Sequence, residues 1–321
     1  MAKEKTGQTQ PKKKKSNLST IILVLILLLG IGIMAYPTVS DWWNSFHASR
    51  AIASYSAAVE NTDSEEIQAM LAEARAYNAS LLRKENPYRM TDEDLEVYNS
   101  LLNLSGNGII GYIEIKSINV YIPIYHGTEE SVLQIAVGHI DWTSLPVGGE
   151  STHAVLSGHR GLPSARLFTD LDQMKEGDIF TVTVLKQQIS YQVDQIRIVE
   201  PGDVSELSIV PGQDYCTLVT CTPYGVNTHR LLVRGHRVVN EGGELVVTPE
   251  AFRIPNYLTI PAVGIPLLFL FLLGMLIYYR RRRPRIADSD DFDFYIDIDP
   301  TDKTRAPDKA PDPNQNQADR E

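Results

Sequence analysis

Two long apolar runs without a charge stand near the ends of the chain, Leu18 to Tyr36 and Tyr257 to Tyr279. A helix that crosses a bilayer needs roughly 20 apolar residues, and each run predicts one. Between them the periodicity changes once. Ala48 to about Leu104 reads as helical: Ile67, Met70, Leu71, Ala74, Asn78 and Leu81 recur at helical spacing, with Asn78 the one polar member. Thr62-Asp63-Ser64-Glu65 has the pattern of a capping box at the start of that helix. Asn86-Pro87-Tyr88 interrupts it, because a residue before proline avoids helical angles, and Thr91 to Asp94 opens a further helix with Leu95, Tyr98, Leu101 and Leu102 on one face. From Gly108 the period becomes two. Ile113 and Ile115, then Ile118, Val120, Ile122 and Ile124, then Phe180, Val182 and Val184, then Ile189, Tyr191 and Val193 alternate with more polar neighbours. Short alternating segments punctuated by Gly, Pro and Asp predict a mainly β domain, a barrel or a sandwich.

Charge orients the two runs. Lys12 to Lys15 precede the first and Arg280 to Arg283 follow the second. Positive flanks stay cytoplasmic, so both termini are expected inside and the middle of the chain outside. The expected layout is a basic cytoplasmic tail (1–17), an anchor (18–36), an extracellular helical prefix (37–107), the β domain (108–247), a linker (248–256), a second membrane helix (257–279) and a cytoplasmic tail (280–321). A cleaved signal peptide is the alternative for the first run, since Thr38-Val39-Ser40 supplies a small-x-small triplet. The tail beyond Arg285, rich in Asp, Pro, Asn and Gln, reads as disordered, and its acidic stretch Asp288 to Asp299 lacks the glycine of a calcium loop. Lys+Arg 30 against Asp+Glu 40 leaves a net charge of −10, which argues against a nucleic-acid partner. Asn78-Ala79-Ser80 and Asn103-Leu104-Ser105 match the glycosylation triplet.

Two cysteines exclude a disulfide scaffold and a four-cysteine zinc site. Cys221 ends the strand-like Thr217-Leu218-Val219-Thr220-Cys221, just before the turn Thr222-Pro223-Tyr224-Gly225. A thiol there is rigidly held yet reachable, and a thiolate is the strongest side-chain nucleophile near neutral pH. A buried core cysteine is the plainer reading of the same residue. Cys216 lies an odd number of positions earlier, hence on the opposite strand face, and is expected in the core. A nucleophilic cysteine needs an imidazole partner. Of His47, His126, His139, His153, His159, His229 and His236, His159 alone follows an apolar strand (Ala154-Val155-Leu156) between glycines, in Leu156-Ser157-Gly158-His159-Arg160-Gly161. Arg230 and Arg234 share one face of the next strand. Either suits oxyanion stabilisation, or a surface salt bridge. No cofactor or metal is expected.

Three blocks, Thr217 to Gly225, Leu156 to Gly161 and His229 to Gly235, together resemble a sortase, the membrane-anchored cysteine transpeptidases of Gram-positive bacteria. Gly111-Tyr112-Ile113-Glu114-Ile115, Pro123 to Thr128 and Ser144 to Gly149 resemble class C, the pilin-polymerising sortases. The resemblance runs from about Tyr77 to Arg237 and keeps the family's block order. It implies an eight-stranded β-barrel, with Cys221 as the acyl-accepting nucleophile, His159 as the acid/base and Arg230 as the oxyanion-stabilising residue. It implies substrates bearing a Leu-Pro-x-Thr-Gly-like sorting signal, cleaved through a thioester and, in class C, joined to a lysine of the next pilin. Asn86-Pro87-Tyr88 matches the class C lid, whose usual first residue is Asp; on that reading Tyr88 shields Cys221 and Asn86 accepts a hydrogen bond from Arg230. The alternatives are a sortase that anchors surface proteins to peptidoglycan precursor, a catalytically silent surface-binding module, and a papain-like protease, which the strand-rich pattern disfavours.

Overall fold

The computed structural model describes residues 18–84, 86 and 88–238, and within the second apolar run residues 266, 268, 269, 272–274 and 277, which are helical. The basic tail, Pro87, the linker, most of the second run and the C-terminal tail lie outside the described residues. The chain divides into two units, Met1–Glu250 and Ala251–Glu321.

Helix α1 (Leu18–Glu60) is 43 residues long and continues through Pro37. The helical part of the prefix therefore starts well before Ala48, where the sequence pattern placed it. A proline costs a helix one hydrogen bond and a clash one turn back, yet here it does not end the element. Among the described residues, one helix, Ile21–Glu60, is long and apolar enough to cross a membrane. Its apolar side chains from Ile21 to Met34 are largely exposed, and Tyr36, Trp42 and Trp43 follow as exposed aromatics of the kind that line membrane interfaces. Past them the helix joins the domain: Tyr55, 1% exposed, donates to the Ile110 carbonyl at 2.7 Å and accepts from the Leu185 N–H at 2.7 Å.

Helix α2 (Ser64–Leu81) buries Ile67, Leu71, Ala74, Tyr77, Asn78 and Leu81, the face that the spacing predicted, apart from Met70 and with Tyr77 added. Its N-cap is Asp63, with no side-chain cap bond, and Thr62 turns back to donate to the Ala58 carbonyl at 2.8 Å. The capping box expected at Thr62–Glu65 is therefore absent; Thr62 closes α1 instead of opening α2. Helix α3 (Asp92–Ser100) does carry a box, between Thr91 and Asp94. Lys84 meets Asp94 at 2.8 Å, closing the base of the α2–α3 connection that holds Asn86 and Tyr88. The Lys84 ammonium and the Thr91 N–H hold the Asp94 carboxyl low, at about 2.

The β domain is a closed eight-stranded barrel, as the resemblance implied. Its strands are β1 (Ile109–Ile115), β2 (Val120–His126), β3 (Val137–His139), β4 (Thr152–Ser157), β5 (Ile179–Val184), β6 (Gln187–Val199), β7 (Asp214–Thr222) and β8 (His229–Val238). The order around the barrel is β1-β2-β3-β4-β7-β8-β6-β5. Ile118 does not extend the alternation of β2, because Lys116–Ile118 forms a 3-10 turn and Asn119 takes left-handed angles. Inward-facing Ile113, Ile115, Val182, Ile189, Tyr191, Leu218 and Val233 fill the core. Pairs β2–β3 and β4–β7 are parallel; the others are antiparallel. The β4–β7 pairing matters most, because it sends the C-terminal ends of both strands to the same rim.

Candidate active site

Cys221 is next to last on β7, and its antiparallel partner on β8 is Arg230. Residues opposite one another in a pair project from the same face of the sheet, so thiol and guanidinium share a face. Strand β4 runs parallel to β7 with Ser157 against Val219. The pairing continues one step further: the Gly158 N–H donates to the Val219 carbonyl at 3.0 Å, and Thr220 Oγ1 donates to the Gly158 carbonyl at 2.7 Å. His159 thus leaves β4 level with Cys221. The three residues singled out in the sequence, His159 far along the chain from the other two, come together at one rim.

The glycines beside His159 have steric reasons. A Cβ on Gly158 would lie 2.7 Å from the Phe168 ring. Gly161 has φ +78°, and a Cβ there would lie 3.0 Å from the Tyr224 ring. Either addition would force the neighbouring ring to shift. His159 Nε2 is buried without a hydrogen-bond partner among the described residues, and Glu130 Oε2 lies 3.6 Å from it. Arg230 uses only Nη1 in its described bonds, donating to the Asn227 and His229 carbonyls at 3.3 and 3.1 Å. An arginine has five N–H donors, so Nε and Nη2 remain for a substrate oxygen.

The other candidates separate cleanly. Cys216 faces the core, fully buried, and burial pushes its thiol well above the ordinary range. Both cysteines are free. Arg234 is occupied by Asp194, at 3.0 and 3.1 Å, and stacks over Tyr215 at 4.3 Å. His126, His139 and His153 hold backbone carbonyls, and burial lowers the pKa of all three, His139 to about 3.

On the face that carries Cys221 lies a buried apolar cluster. Val155 of β4, Val219 of β7 and Leu232 of β8 form it with Leu207, and Trp142 and Val204 pack against them from the neighbouring loops. Tyr88 lies against the loops beside this cluster: its ring meets Trp142 edge-on at 5.0 Å, and its hydroxyl shares a 3.2 Å hydrogen bond with Ser208 Oγ. The Asn86 side chain accepts from the Tyr88 N–H at 3.2 Å. The expected Asn86–Arg230 bond is thus replaced: the asparagine oxygen is used in its own turn, and Arg230 donates to β7–β8 carbonyls. Pro87, the middle residue of the expected lid, lies outside the described residues. Sequence reasoning missed Trp142, Ser208 and Arg160; the first two belong to loops without periodicity, and Arg160 was legible only as the neighbour of His159.

Residues 113–238 match the family model described as a sortase domain. Sortase C1 of Streptococcus agalactiae is 53% identical, with a TM-score of 0.59, and the superposition covers 60% of this chain and 100% of that one. Sortase C of Streptococcus pneumoniae, whose structure is described as giving insight into catalysis and pilin substrate specificity, is 45% identical with a TM-score of 0.53, covering 59% of this chain and 97% of that one. Sortase D of Bacillus subtilis is 29% identical over 40% of this chain and 63% of its own length, so the match spans less than two thirds of that relative. The chain belongs to the sortase family of cysteine transpeptidases, and its structural kin are class C sortases.

Proposed function

We propose that the chain is a membrane-anchored pilin polymerase, with Cys221, His159 and Arg230 as its catalytic residues. The observation that carries this reading is the strand register, which sets Cys221 opposite Arg230 and brings His159 level with both. The Cys221 thiolate attacks the carbonyl of the threonine in an LPxTG-like signal. Donors of Arg230 meet the oxygen as it gains charge, an interaction worth about 10²–10³ in rate when one such donor is removed elsewhere. The imidazolium of His159 gives its proton to the departing glycine amine, leaving a thioester on Cys221. A lysine amine of the next pilin then attacks the thioester, His159 takes up the proton it loses, and the thiolate leaves. The apolar cluster of Val155, Val219 and Leu232, on the face that carries Cys221, suits the apolar Leu-Pro start of such a signal. Asn86, Pro87 and Tyr88 form the lid of this site, with Tyr88 as its fastening. Helix α1 and the second apolar run anchor the enzyme with its barrel outside the cell and both termini inside.

The test is expression of the full chain with a sorting-signal pilin in a Gram-positive host that lacks its own sortases. Covalent pilin ladders are expected with the native chain and with Cys216→Ala, and none with Cys221→Ala. Wall-attached monomers without ladders would favour anchoring to peptidoglycan precursor, and full ladders from Cys221→Ala would overturn the mechanism.

A further inference from the structure

Arg160 is the residue after His159, and it does not point toward Cys221. Its side chain is only 7% exposed. Nη1 donates to Thr222 Oγ1 at 3.2 Å, Nη2 pairs with Asp172, and the guanidinium lies 5.9 Å from the centroid of the Tyr224 ring. Nε is buried with no hydrogen-bond partner among the described residues. Thr222 immediately follows Cys221 on β7, so its side chain leaves the opposite face of the strand. Arg160 lines a cleft of about 720 Å³ on that side, shared with Asp172, Ile198, Thr222 and Tyr224.

We infer that Arg160 is a positioning residue: through Thr222 it ties the histidine loop to the cysteine strand from behind and so sets the distance between His159 and Cys221. This rests on the catalytic reading of that pair. The chain before His159 is held by Gly158, through its two bonds to β7. On the far side, the His159 carbonyl accepts from the Phe168 N–H, and Gly161 N–H donates to Thr169 Oγ1; both bonds stay within the loop itself. Past His159, Arg160–Thr222 is the side-chain bond among the described residues that returns from the loop to β7. A guanidinium suits this task because its planar fork engages two acceptors at fixed geometry while its face lies on an aromatic ring, which an ammonium cannot reproduce. Asp172 balances the charge, so the clasp acts by geometry. A displacement of about 1 Å in a reacting group costs on the order of 10²-fold in rate.

The experiment uses the detergent-solubilised full chain and four variants: Thr222→Val, Thr222→Ser, Arg160→Gln and His159→Ala. Two quantities are read: cleavage of a soluble sorting-signal peptide, and the rate of Cys221 alkylation by iodoacetamide as a function of pH. Thr222→Val keeps the shape and removes the acceptor. It is expected to lower kcat about 10- to 100-fold with little change in KM, and to move the alkylation profile toward that of His159→Ala. Thr222→Ser keeps the acceptor and is expected to retain the native profile. Arg160→Gln should behave like Thr222→Val; should it fail to fold, the threonine pair still decides. If Thr222→Val and Thr222→Ser share the native rate and profile while His159→Ala shifts it, the clasp is overturned and the catalytic pair stands. If His159→Ala leaves the profile unchanged, the pair itself is wrong, and with it the clasp.

Discussion

Asn78 interrupts an otherwise apolar helix face, and the fold gives the reason. It is 2% exposed, donates to the Leu145 carbonyl at 3.0 Å and accepts from the Leu145 N–H at 2.8 Å. One side chain thus satisfies both backbone groups of a buried loop residue and excludes glycan attachment at that triplet in the folded domain. Asn78→Leu keeps the branching of the side chain but strands both groups, each costing about 1–3 kcal/mol. A loss of about 2–6 kcal/mol is expected from denaturant unfolding, and a change below about 0.5 kcal/mol would refute the assignment. At this scale the sequence was readable wherever a residue's role is local. Cys221, His159 and Arg230 could be picked out because each stands at a strand end beside a turn or a glycine. The Asn78–Leu145 and Arg160–Thr222 contacts could not, because nothing in a linear pattern records contacts made across the barrel.

At the scale of elements, two connections carry the site. The loop after His159 is fastened to α1, where Asn44 Nδ2 donates to the Ser164 carbonyl at 2.7 Å and Asp41 accepts from the Arg166 N–H at 2.7 Å. The same helix that leaves the apolar run therefore holds the loop that follows His159. The periodicity of the prefix was legible, but its continuity through Pro37 was not, since proline signals a helix break unless packing or lipid maintains the element. The α2–α3 connection is fastened mainly by Tyr88. An edge-on ring pair contributes about 0.5–1.5 kcal/mol, and a hydrogen bond adds about 0.5–1.5 kcal/mol. Tyr88→Ala should therefore raise the open population and the alkylation rate of Cys221 roughly 5- to 150-fold, with Tyr88→Phe in between. Equal alkylation rates in all three proteins would mean that the segment is a connector without a lid's function. Asn86→Asp is expected to have little effect, because Asn86 caps its own turn and leaves Arg230 to the β7–β8 carbonyls.

At the scale of the whole molecule, barrel closure was legible from the alternation and the motifs, whereas the strand order, with its parallel β4–β7 pair, came only with the structure. The closed core also sets the pH response. His126, His139 and His153 all have folded pKa values below the ordinary ~6.5, through burial. Below ~6.5 the unfolded chain binds more protons than the folded one, so stability is complete above that pH and falls as the pH drops toward the folded values. His139, fully buried between Tyr98 and the Ser144 carbonyl, contributes a slope on the order of 1 kcal/mol per pH unit. The denaturant midpoint should fall between pH 6.5 and 5, above the range where carboxylates titrate; an unchanged midpoint over that interval would contradict this. The central claim, that the rim chemistry passes through Cys221, has a direct test. The purified full chain is mixed with a peptide bearing an LPxTG-like signal, quenched in acid, and the intact mass is recorded. An adduct equal to the peptide up to its threonine, located on Cys221, cleaved by hydroxylamine and absent from Cys221→Ala, is the result the account predicts. Peptide cleavage without any such adduct, or an adduct that persists in Cys221→Ala, would contradict it.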